Sequence, residues 1–199
     1  MNKGRLEAFS DGVIAILITI MVLGLKIPVG SDWNALHPMI LSLLTYVLSF
    51  VFLGIYWNNH HHMLQAATRI NGGILWANLH LLFWLSLVPF VTGWMGENHF
   101  DPVPTAAYGI VLLFAGVAYL VLQKAIIAEH GPNSKLMTAI GNDMKGKLSA
   151  TLYALAIPLA FMNRWISFGI YILVALMWLV PDPRIESVVH QHEKHKNGE

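Results

Sequence analysis

The sequence predicts an all-α membrane protein with six transmembrane helices per chain, and three observations predict it. Its 199 residues are 56% hydrophobic and only 12% charged, with a mean hydropathy of +0.57, whereas a soluble domain carries about a quarter charged residues. Asp, Glu, Lys and Arg are absent from six stretches: 12–25, 33–68, 70–96, 102–123, 148–163 and 165–181. The basic residues are also distributed unevenly around those stretches. A net charge of +1 is too small to point to a nucleic-acid partner. With no cysteine, disulfides, thiolate metal sites and cysteine nucleophiles are excluded.

A helix needs about 20 apolar residues to cross the hydrocarbon core of a bilayer. The first stretch reaches that length only if Phe9, Ser10 and Asp11 form its entry turn and Ile27 its exit, giving a span over 8–27. It does not read as a cleaved signal, because it carries Asp11 and lacks a small-residue cleavage site before the loop near Pro28. The next three stretches place spans at 39–59, 73–95 and 105–128. The last two flank Asn163-Arg164; as one helix they would be too long for an ordinary bilayer, so they read as two spans joined by a tight turn. Pro89 in the third span and Pro158 in the fifth each remove a backbone hydrogen bond and bend their helices. A loop over 129–147 carries the turn signal Gly131-Pro132-Asn133. Residues 1–183 thus read as one transmembrane domain and 184–199 as a polar tail.

With the N-terminus cytoplasmic, the inside segments hold Lys3, Arg5, Arg69, Lys124, Lys135, Lys145, Lys147, Arg184, Lys194 and Lys196, and the outside ones only Lys26 and Arg164. This bias predicts a multi-pass protein of the cell (inner) membrane with both termini cytoplasmic. Trp33, Trp57, Trp94 and Trp165 fall near span ends, where indoles anchor to the lipid interface.

Two charges stand at the mouth of the first span. Arg5 and Asp11 are six residues apart, about 120° around a helix, so they do not pair as neighbours one turn apart do. Intramembrane ionisable groups usually face the bundle interior. Partners at the same level are Asn58, Asn59 and His60 at the end of the second span, and Asn78 and His80 early in the third. The competing reading is that Ser10 and Asp11 cap a helix. Further along, Ile16, Ile20 and Leu23 form one stripe with Thr19 beside them, and by spacing alone such a stripe faces lipid or a neighbouring helix. His60-His61-His62 does not read as a metal site, since consecutive helical side chains point about 100° apart. His190, His192 and His195 lie in the charged tail. The spans lack paired carboxylates, a Ser-His-Asp ordering or a phosphate loop, so enzyme activity is not expected and no cofactor is implied.

The string Arg5-x-x-x-Phe9-Ser10-Asp11-Gly12 resembles the signature of the endolysosomal potassium channel family and its prokaryotic homologues. Trp57-x-Asn59-His60-His61 resembles the end of that family's second helix, and Asn78 with Pro89-Phe90 and Gly96-Glu97 its third. The resemblance is strong over residues 3–100 and continues mainly as hydropathy beyond. It implies one six-helix repeat per chain, a homotetramer embedded in lipid, and a central potassium pore lined by the first helix. It places the narrowest ring at Ile16, with Thr19, Ile20 and Leu23 further along the same face. No carbonyl filter of the TVGYG type is present. It further implies that Arg5, Phe9, Ser10 and Asp11 orient this helix through a polar network with Trp57, His60 and Asn78. Thr19 has two readings, a hydroxyl ring facing the ion or a bond to its own helix backbone. Two rival functions remain: a proton-coupled transporter relaying protons through Asp11 and His60, and a membrane scaffold that conducts nothing.

Overall fold

A computed structural model describes residues 2–131 and 143–179. Helix α1 spans Lys3–Leu23. A short 3₁₀ helix over Trp33–Met39 leads into α2, Ile40–Ala66. The third span is broken into α3, Gly72–Ser86, and α4, Val88–Glu97. Then follow α5, Pro102–His130; α6, Met144–Met162; and α7, Arg164–Leu179. Among the described residues the structure holds no strand. The six expected spans are present as this succession, the third in two pieces.

The boundaries shift from the sequence expectation for identifiable reasons. Helix α1 begins five residues earlier than expected because Asn2 caps it, its side chain accepting from the Gly4 N–H at 3.1 Å. The reading of Ser10 and Asp11 as caps is therefore wrong: both lie inside α1. The helix stops at Gly24, whose N–H turns back to the Met21 and Val22 carbonyls. Helix α2 runs on to Ala66, beyond the expected 59, because the polar run that ends its hydropathy signal still favours a helix. Trp57 consequently sits within α2 rather than at its tip. In the third span Pro89 has no N–H to offer the Leu85 carbonyl, and the chain breaks just before it, at Leu87. Asn71 and Asp143 cap α3 and α6 by accepting from the N–H groups of Ile74 and Gly146 at 2.9 and 3.1 Å.

Four segments are long and apolar enough to cross a membrane by themselves: Lys3–Leu23, Trp33–Ala66, Gly72–Glu97 and Pro102–His130. The last two helices are shorter, 19 and 16 residues, and form an antiparallel hairpin about Asn163. Ser167 Oγ donates to the Ala156 carbonyl at 2.7 Å, and Trp178 Nε1 to Ser149 Oγ at 2.8 Å. Helix α5 packs against α3, α4, α6 and α7, while α1 lies on the opposite flank against α2, α3 and α4. Between them the core closes over Leu53, Leu81, Leu85, Tyr108, Leu112 and Tyr171.

The start of α1, the end of α2, the start of α3 and the end of α5 meet at what is called here the proximal end. Lys3 Nζ there donates to the Gln65 carbonyl at 3.0 Å. At the distal end Lys26 pairs with Glu97 at 3.2 Å and Arg164 with Asp101 at 2.8 Å. Both cations of the segments expected outside thus have an acidic partner. The middle of the 129–147 loop with Lys135, the tail 184–199 with Arg184, Lys194, Lys196 and its three histidines, and the 1–183 domain boundary lie outside the described residues.

Candidate functional site

Helix α1 has two unlike faces. Leu6, Ser10, Ile14, Leu17 and Met21 are buried at spacings of three and four residues, so a single stripe docks on the bundle. The opposite stripe is bare: Ile16 is 61% exposed, Ile20 48% and Leu23 81%, and Thr19 is exposed between them. In one chain, that stripe is largely open, with Ile20 and Leu23 at the edge of a cavity they share with Ile27 and Phe90.

The buried stripe is fixed by a chain of hydrogen bonds whose direction can be deduced. Ser10 Oγ donates to the Leu6 carbonyl at 2.9 Å, which uses its only proton. It therefore accepts from Asn78 Nδ2, also at 2.9 Å. That turns Asn78 Oδ1 toward His60 Nε2 at 2.7 Å, so His60 carries its proton on Nε2 and donates. All three side chains are buried. One acceptor-to-donor sequence thus joins α1, α3 and α2, each member satisfied, which is the condition under which a buried polar network stabilises.

A second contact flanks the first. Trp57 Nε1 donates to Asp11 Oδ1 at 3.0 Å, and the His61 ring stacks on the Trp57 indole with centroids 6.1 Å apart. The structure therefore brings together Ser10, Asp11, Trp57, His60 and Asn78. It does not bring in Arg5 or Phe9, which are exposed on α1; among the described residues no hydrogen bond or ion pair joins the Arg5 side chain to this cluster. Asn59 turns instead to the Ile55 carbonyl at 2.8 Å, and His80 accepts from Trp84 at 3.0 Å. Thr19 Oγ1 donates to the Ala15 and Ile16 carbonyls, both at 3.0 Å, as a backbone-bonded threonine does. Its lone pairs remain on the exposed stripe.

One polar cluster was missed from the sequence. Thr92 Oγ1 donates to the Val88 carbonyl at 2.7 Å, so it accepts from Ser49 Oγ at 2.6 Å, and Ser49 in turn accepts from Tyr108 Oη at 2.9 Å. This chain joins α4, α2 and α5. Its members are uncharged, and a search for charges in apolar spans passes over them.

A family model described as endosomal/lysosomal potassium channel TMEM175 matches residues 5–89. A potassium channel of Chryseobacterium sp. (strain P1-3) is 53% identical over 192 residues, covering 96% of this chain and 100% of that protein. This chain belongs to the TMEM175 family of channels. A potassium channel of Streptomyces collinus is 31% identical over 202 residues, 94% of this chain and 98% of that one. The crystal structure of a lysosomal potassium-selective channel TMEM175 homolog from Chamaesiphon minutus superposes with a TM-score of 0.76 at 27% identity, over 90% of this chain and 97% of that chain. The TMEM175 match over 5–89 includes the five side chains of these two polar contacts: Ser10, Asp11, Trp57, His60 and Asn78.

Proposed function

We propose that the protein is a potassium-preferring cation channel of the cell membrane, a homotetramer whose four α1 helices surround the pore. The single observation that carries this reading is the division of α1 into a face clamped by buried polar bonds and a bare face bearing Ile16, Thr19, Ile20 and Leu23. The relatives' names and the family membership support the choice of ion. Four isoleucines at position 16 offer an ion no ligands, so passage requires shedding water or widening the ring, and such a constriction also gates by dewetting. Potassium holds its water less tightly than sodium, which favours potassium modestly. The Thr19 hydroxyl, its proton committed to the helix, presents oxygen lone pairs that replace part of the lost water. Ser10, Asp11, Trp57, His60 and Asn78 position the helix and do not touch the ion. Both termini are cytoplasmic, and no cofactor or catalytic residue is involved.

Planar-bilayer recording of the purified protein tests the proposal. Ile16→Asn replaces an oily ring with a polar one and is expected to raise unitary conductance while lowering potassium-over-sodium preference. Unchanged conductance and reversal potential would remove Ile16 from the constriction. The transporter reading needs Asp11 and His60 in one proton path. They belong instead to separate contacts, Asp11 with Trp57 and His60 with Asn78.

A further inference from the structure

At the proximal end, His130 closes α5 and reaches across to the linker between α2 and α3. Its Nδ1 bonds the Ile126 carbonyl of its own helix at 2.8 Å. Its Nε2 faces two backbone donors at once, the N–H groups of Thr68 and Arg69, at 2.9 and 3.1 Å. A carbonyl can only accept, so Nδ1 carries the proton; two N–H groups can only donate, so Nε2 is a bare lone pair. The ring is therefore neutral and held in one tautomer by three backbone groups. Beside it Asn71, the cap of α3, donates to Glu129 of α5. The linker over 67–71 is thus fastened to α5 at consecutive points. It joins the helix that carries Trp57 and His60 to the helix that carries Asn78.

We infer that His130 is a proton-operated latch on this linker, through which acidification at the proximal face releases α2 and α3 and reduces conduction. This rests on the proposed channel function and names its regulation. A proton on Nε2 would replace the acceptor with a third donor aimed at two others, removing both bonds together. The bond to Ile126 survives, and a cationic ring is favoured at a helix C-terminus, so the protonated side chain swings off the linker and stays on its helix. Histidine is the residue whose charge changes within the pH range a cell experiences.

Charged and titratable groups also stand on the surrounding elements. On α5 these are Glu129, occupied by Asn71, and the exposed Lys124; on the linker, Arg69. Helix α3 holds no Asp, Glu, Lys or Arg, and its His80 is bonded to Trp84. The end of α2 brings His61, bonded to Gln65, and His62; the start of α6 brings Asp143, Lys145 and Lys147.

Two measurements test the latch. Nitrogen-15 NMR of histidine-labelled protein in detergent, assigned by comparison with His130→Gln, reads the tautomer without any current. The expected result in alkaline buffer is a proton on Nδ1 and a bare Nε2, with a proton on both nitrogens in acid. An Nε2-protonated tautomer at the higher pH would overturn the inference. Bilayer currents with the pH lowered on the cytoplasmic side provide the second reading. Wild type is expected to lose about tenfold in open probability, the equivalent of two lost hydrogen bonds. His130→Gln, which offers a carbonyl oxygen to the linker and does not titrate, should conduct at both pH values. Equal acid inhibition of wild type and His130→Gln would overturn the latch while leaving the pore assignment to stand or fall on Ile16→Asn.

Discussion

The two buried hydrogen-bond chains are built alike and hold different things. Ser10–Asn78–His60 joins α1 to α3 and α2; Ser49–Thr92–Tyr108 joins α2 to α4 and α5 and includes no residue of α1. Each begins on a hydroxyl whose proton goes to its own helix carbonyl, which fixes the direction of every bond after it. Helix α1 is consequently clamped near its beginning. Its distal half is held by the buried Leu17 and Met21 and, beyond its end, by the exposed Lys26–Glu97 pair. Hydrogen bonds demand one geometry, whereas apolar contacts tolerate sliding and rotamer exchange. The distal half, with Thr19, Ile20 and Leu23, is the part of α1 held by apolar contacts.

The largest break in this contrast comes from Asn78→Leu, which strands the His60 Nε2–H and removes the donor to Ser10. A loss of about 2–4 kcal/mol is expected from the two disrupted buried groups, read as a lowered thermal midpoint of the detergent-solubilised protein. Channels that survive should show reduced open probability with an unchanged reversal potential, because the substitution moves the helix and leaves the proposed Ile16 ring intact. Tyr108→Phe removes one bond of the distal chain and should cost about 1 kcal/mol, with currents like wild type. If it suppresses conduction as strongly as Asn78→Leu, the two chains do not divide the labour as described. The smallest effect belongs to Lys26→Gln. Its side chain is 75% exposed, and an exposed ion pair contributes about 0.5 kcal/mol or less, so the midpoint should barely move.

Much of this was legible in the sequence because charge and hydropathy report directly on a bilayer. The four strongest spans, the hairpin about Asn163 and the break near Pro89 follow from charge-free runs, from length and from a missing N–H. Asp11, His60 and Asn78 of the α1 clamp were recognisable because an ionisable or amide side chain stands out in an apolar run, whereas Ser10 and Trp57 followed from the family resemblance. Helix ends were less legible: α2 continues seven residues past its apolar signal, since Asn, His and Gln end a hydropathy run without ending a helix. The Ser49–Thr92–Tyr108 chain was invisible because hydroxyls in membrane helices usually bond their own backbone, and only the fold shows which ones face each other. His130 gave no signal either. Its role depends on two backbone N–H groups about sixty residues away, which carry no sequence signature.

The break at Leu87 also solves a problem of unequal lengths. On α2, Ser49 and His60 are 60 − 49 = 11 residues apart, a rise of about 16 Å; on the third span their partners Thr92 and Asn78 are 92 − 78 = 14 apart, about 21 Å on a straight rod. On two straight parallel cylinders the cross-links would be out of step by about 5 Å, a difference that side-chain reach, helix crossing and the joint at Leu87 share. The joint lies between Asn78 and Thr92, so the proline before Phe90 places the third span's one interruption between the two points at which it is tied to α2.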